Sequence, residues 1–209
     1  MCAPQEHLVG FRNEIQARLE PIRTFLAQEQ DEQVPIYFRP FVCDGDPYEC
    51  RVMFVGFNSA NTMPYDWSHY WSDSTGYLYQ LWRHHAALSK TRRMIERIMI
   101  VAGPHRYITT NLYSIPTRRR SGLPNRYRTE QMEAVFRFLL HELNDTVRLI
   151  VPFGIDAVRW FEAHCDELGC REKIIWPFET EIERESCHFG YRFACTRADR
   201  IGLQLNQRL

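Results

Sequence analysis

The sequence predicts an α/β chain in three layers, α/β/α, around a central, mainly parallel four-stranded sheet. Three observations predict it. Short, uninterrupted apolar runs end at glycine or asparagine; segments of helical periodicity separate those runs; and 209 residues at 44% hydrophobic and 13% aromatic content can bury one substantial core. At about 100–200 residues per domain, the length predicts one domain over 1–209.

In chain order, the first element is helical. Over 6–30, Leu8, Phe11, Ile15, Leu19, Ile22 and Phe25 or Leu26 recur every three or four residues, the spacing of one helix face. An N-terminal helical segment within 1–34 is therefore expected to pack on the domain, with Pro21 kinking or restarting it. Residues 35–43 favour β structure but are broken by Pro35 and Pro40, and Asp44-Gly45-Asp46-Pro47 is strong turn chemistry, so an irregular, edge-like approach to the core is expected. The run 51–56 is the first core strand; 106–111 and 147–153 are the second and third. Helices are expected over 77–88, 89–101, 129–143 and 156–168, the last closed by Gly169. For the fourth strand, 172–178 and 191–196 are both eligible. The acidic stretch 179–186 reads as a solvated turn or short helix.

Charge and cysteine content narrow the functional classes. With 26 basic and 26 acidic residues the chain is neutral, so any grip on a polyanion must come from local clustering. Seven cysteines, an odd number with no Cys-x-x-Cys pair, argue against a disulfide framework and a zinc ribbon; reduced, buried thiols are expected. Neither the Gly-x-Gly-x-x-Gly turn nor a Walker motif is present, so no cofactor and no metal are expected. The first twelve residues lack an apolar core, and no run approaches the roughly 20 apolar residues of a membrane span. A soluble, cytoplasmic protein without membrane attachment is expected.

In open α/β sheets, ligands bind beyond the carboxyl ends of the strands, which singles out the residues just past each run. After the first strand, Gly56-Phe57-Asn58-Ser59 lets backbone approach a ligand and aims Asn58 into a cleft; alternatively Asn58 caps the next turn. Asn111 ends the second strand with a donor and an acceptor in one plane, suited to a nucleobase edge, or it forms a turn. Beyond it, Arg118, Arg119 and Arg120, with Arg126 and Arg128 close behind, form the densest basic patch, suited to phosphate contacts or simply solvated. The run 65–71 is unusually aromatic: it walls a base pocket, where stacking is worth about 1–3 kcal/mol per base, or it lids the core.

Taken together, a strand ending Gly-x-Asn, a second ending Asn-Leu-x-x-x-x-Thr, and a third reading Ile-Val-Pro-Phe-Gly-Ile-Asp-Ala into a helix resemble the uracil-DNA glycosylase superfamily over roughly 51–168. The resemblance implies that fold, DNA as partner, and hydrolysis of the N-glycosidic bond of a flipped damaged or modified pyrimidine. It implies that Asn58 positions the water, that Asn111 reads the base, that Gly56 and Phe57 present backbone to it, and that Tyr65 or Trp67 stacks on it. Asp66 is the nearest acidic candidate for catalysis. The cysteine spacings do not match the four-cysteine iron–sulfur cluster of some branches.

Two departures shape the expectation. Ser59 stands where the family usually has proline, and the late His-Pro-Ser-type loop has no counterpart; His188-Phe189-Gly190 and Thr196-Arg197-Ala198-Asp199 are the candidate replacements, with His188 and Arg197 as DNA contacts. An altered late loop points to a base other than plain uracil, such as a hypermodified phage base removed in antiviral defence rather than repair. A catalytically silent DNA-binding module of the same fold and a small-molecule nucleosidase are the rival classes.

Overall fold

The computed structural model describes residues 5–28, 37–58, 63–86, 89–115, 128–178 and 195–209. Four strands form the main sheet: β1 (Phe41–Val42), β2 (Val52–Asn58), β5 (Tyr107–Tyr113) and β6 (Leu149–Pro152), in the order β1-β5-β2-β6. β2 runs parallel to β5 and to β6, whereas β1 joins β5 antiparallel. A separate two-stranded ribbon pairs β3 (Trp71–Ser72) with β4 (Gly76–Tyr77). Six helices are present among the described residues: α1 (Glu6–Gln28), α2 (Tyr79–His85), α3 (Lys90–Ala102), α4 (Glu130–Glu142), α5 (Ile155–His164) and α6 (Cys195–Arg208). None of them is long and apolar enough to cross a membrane.

Strand alternation sorts the core into two clusters, one on each face of the sheet. Val52 and Phe54 of β2 join Leu149 and Val151 of β6 beneath Ile95, Ile98 and Met99 of α3 and Ala198, Ile201 and Leu205 of α6. Met53, Val55 and Phe57 point the other way, into a larger cluster with Ile108, Leu112 and the apolar faces of α1, α4 and α5. Helices therefore cover both faces of the sheet, as three-layer packing requires.

Two expectations need correction. The fourth strand is β1, from the proline-broken approach, and not 172–178. There, Arg171–Lys173 forms a 3-10 turn and only Ile174 makes a single parallel bridge, to Ile150. Of the other eligible run, 191–196, residues 191–194 lie outside the described residues, and Cys195 opens α6. That helix forms because Ala198, Ile201 and Leu205 share one face and are fully buried against α3. Gly202 lets the two helices approach, since a Cβ there would lie 2.6 Å from Val101 Cβ. Pro21, finally, does not restart α1. It sits on the exposed side, and the carbonyl it deprives of a donor belongs to Ala17, also exposed and open to solvent, so the lost bond strands no buried group.

Candidate functional site

A cavity of about 280 Å³ opens at the carboxyl ends of β2 and β5, lined by residues of five separate elements, β1, β2, α2, α3 and β5. Asn58, the last residue of β2, and Asn111, near the end of β5, both contribute to its wall. Their strands are in register, Gly56 opposite Asn111 and Asn58 opposite Tyr113. Gly56 is sterically required there. A Cβ on it would lie 2.8 Å from Asn111 Oδ1 and 2.6 Å from the Phe153 ring, so its missing side chain is the space that the amide and the ring occupy.

Two arginines complete the wall. Arg39 precedes β1, and the antiparallel pairing, Phe41 with Thr110 and Val42 with Thr109, carries it to the carboxyl edge of the parallel strands. Two threonine hydroxyls pin this edge: Thr110 Oγ1 donates to the Pro40 carbonyl at 2.7 Å, and Thr109 Oγ1 to the Val42 carbonyl at 3.2 Å. Arg92 comes from the first turn of α3, which Ser89 caps by accepting from the Arg92 backbone N–H at 3.1 Å. Its guanidinium lies 4.8 Å above the Trp82 ring, and Nη2 donates to Thr109 Oγ1 at 2.9 Å. Nη1 of Arg92 and Nε1 of Trp82 are buried without a hydrogen-bond partner among the described residues.

The electrostatics are one-sided. No Asp or Glu lines the cavity among the described residues, while Arg39, Lys90 and Arg92 do. Burial, aided by the neighbouring Arg92 charge and opposed by Tyr77, pulls Arg39 down to about 10. Such a lining disfavours cations and favours anions.

Behind β5, on the opposite face, lies a buried polar cluster of another kind. Glu133 of α4 accepts from Tyr113 Oη at 3.3 Å and from Trp160 Nε1 at 2.9 Å, and pairs with Arg137 at 3.0 Å. Burial, together with the Glu133 charge, raises the Tyr113 phenol to about 12. This cluster anchors Tyr113, the register partner of Asn58.

Other residues singled out in the sequence stand elsewhere. Asp66 does not line the cavity: it caps the 3-10 turn Trp67–Tyr70, accepting from Ser68 N at 3.4 Å, and faces Arg23 at 3.5 Å. Trp67 is a core residue, 2% exposed, against Phe41 and Trp71. Tyr65 is 45% exposed and stacks on His69 at 4.3 Å, outside the cavity lining. The Phe57 ring turns to the opposite face, 5.1 Å from Tyr113 and beneath the Arg128 guanidinium. Arg197 is buried in α6, its guanidinium 5.4 Å from the Phe178 ring, rather than presented to a duplex. Arg118, Arg119, Arg120 and His188 lie outside the described residues.

Sequence reasoning missed Arg39, Trp82 and Arg92. The segment Ser89-Lys90-Thr91-Arg92-Arg93 carried a signal, because a capped helix start normally collects acids and this one collects bases. Among the described residues no group of three or more His, Cys, Asp or Glu could hold a metal ion, and Cys43, Cys50, Cys165 and Cys170 are buried free thiols. No family model matches the chain, and no curated protein matches it either.

Proposed function

We propose that the chain is a DNA N-glycosylase that hydrolyses the bond between a flipped, damaged or modified pyrimidine and its sugar, leaving an abasic site. One observation carries this reading: Asn58 and Asn111 line the same cavity at the same sheet edge. A base inside a duplex is out of reach, so it is extruded, at a cost of a few kcal/mol, into a pocket that reads its edge.

In this reading Asn111 offers the base both a donor and an acceptor, and the Phe153 ring, beside it over Gly56, supplies an apolar wall. Asn58 holds the water on the sugar side. An amide is a weak base, so the bond to the base breaks well before water attacks, through a sugar of oxocarbenium character. Asp66, engaged in its cap, takes no part.

The experiment is direct. Purified protein is incubated with oligonucleotides containing uracil, a mismatch or glucosylated hydroxymethylcytosine, and abasic sites are scored by alkaline strand cleavage. Release of one of these bases is expected, and Asn58→Ala or Asn111→Ala is expected to slow it by about a hundredfold, the effect of misplacing a reacting group. Absence of abasic sites on every substrate overturns the reading.

A further inference from the structure

Reading a neutral base edge takes amides and backbone groups, yet this cavity also holds two guanidiniums with no carboxylate among the described residues of its lining. Like charges brought together away from water oppose folding, and a fold keeps such a pair only where something else makes use of it. We propose that Arg39, Arg92 and the first turn of α3 form a phosphate site, holding the phosphate of the same nucleotide whose base Asn111 reads. The identity of that nucleotide rests on the base-excision reading; the anion site itself does not.

Four observations support it. Arg39 sits deep in the protein and still keeps accessible surface, because that surface faces the cavity. It makes no hydrogen bond or ion pair with the described residues, although a guanidinium carries five donors. Arg92 lines the cavity and uses Nη2 on Thr109, while its Nη1 is buried with no hydrogen-bond partner among the described residues, so its donor capacity is not used up within the described fold. The 13-residue α3 starts at the same cavity with Ser89, Lys90 and Thr91 in the lining and no acid in its first turn, adding N–H groups and the positive end of the helix dipole.

The donor inventory decides what kind of anion fits. A departing base carries its negative charge on one or two acceptor atoms, which a single donor meets. Two planar forks and a helix start match a phosphate, whose several oxygens accept paired, charge-assisted bonds. The volume agrees: at about 280 Å³ the cavity lies at the small end of ligand pockets, the scale of one nucleotide and not of a duplex.

The test is thermal unfolding of the whole chain at constant ionic strength, with inorganic phosphate, with deoxyuridine 5′-monophosphate, or with a short single-stranded oligonucleotide. A saturable rise in Tm with phosphate is expected. Removing one fork, in Arg39→Met, is expected to weaken phosphate binding about ten- to a hundredfold. The same variant without phosphate is expected to unfold about 2–4 °C higher, because it removes an enclosed, unbalanced charge; a merely structural arginine would lower Tm instead. Arg92→Lys keeps the charge and is expected to retain part of the shift, guarding against misfolding as the cause.

A larger shift with the monophosphate assigns the site to a free or terminal phosphate, and a larger shift with the oligonucleotide assigns it to the backbone; either supports the site. No shift with any of the three, or an undiminished shift in Arg39→Met, overturns it. Phosphate binding without base release defeats the glycosylase reading and leaves the anion site standing, while base release indifferent to Arg39→Met leaves that reading standing and overturns the assignment of the phosphate to the same nucleotide.

Discussion

The two buried polar clusters on either side of β5 are built by opposite rules. On one face Glu133 gathers Tyr113, Trp160 and Arg137, with a charge opposed and its donors answered. On the other, Arg39 and Arg92 share a cavity with two amides, and the buried Nη1 of Arg92 finds no acceptor among the described residues. Both clusters take polar atoms out of water, but only the first recovers that loss within the fold. Compensated burial belongs to architecture, and uncompensated burial in the wall of a cavity is where a ligand can supply the missing half.

The comparison can be broken first at Glu133. Glu133→Ala strands the Arg137 charge and two buried donors, and a loss of about 3–5 kcal/mol in urea unfolding is expected; a loss under about 1 kcal/mol would mean that the cluster is not architectural. Gly56→Ala comes next. Its Cβ would strike the Phe153 ring and Asn111 Oδ1, and overpacking of this kind costs about 1–3 kcal/mol. Base release should fall with it, since Asn111 must move.

Ser89→Ala removes the cap that delivers Arg92 without altering charge, and should cost about 1 kcal/mol while weakening phosphate binding. The smallest effect is a matter of pH. The folded Tyr113 phenol titrates at about 12, above its ordinary value of 10, so the unfolded chain loses this proton first. The stability due to its protonated form is complete below about pH 10 and drains away as pH rises toward about 12. Urea midpoints measured from about pH 9 to about pH 11 should therefore fall less steeply for Tyr113→Phe than for the unaltered chain.

Much of this architecture is legible in the sequence. Parallel strands buried on both faces read as unbroken apolar runs, and β2, β5 and β6 each lie within about two residues of their predicted ends. The rule that ligands gather beyond the carboxyl ends of parallel strands singles out Asn58 and Asn111. The same rule hides Arg39, which precedes an antiparallel strand and reaches the carboxyl edge only because β1 runs backwards. Asp66 and Trp67 mislead because a turn-capping carboxylate and a core indole have the composition of a catalytic loop, and only packing separates the two uses. Helix α6 escapes notice although Ala198, Ile201 and Leu205 keep helical spacing, because the aromatic stretch before it favours a strand.

The packing of α1 against α4 bears on how the molecule is made. Helix α1 ends at Gln28 and α4 begins at Glu130. On a ribosome adding about 5–20 residues per second, the stripe of Leu8, Phe11, Ile15 and Leu19 would wait on the order of ten seconds for its cover. For that interval the nascent chain carries an uncovered apolar ridge, whose burial waits on a helix made about a hundred residues later.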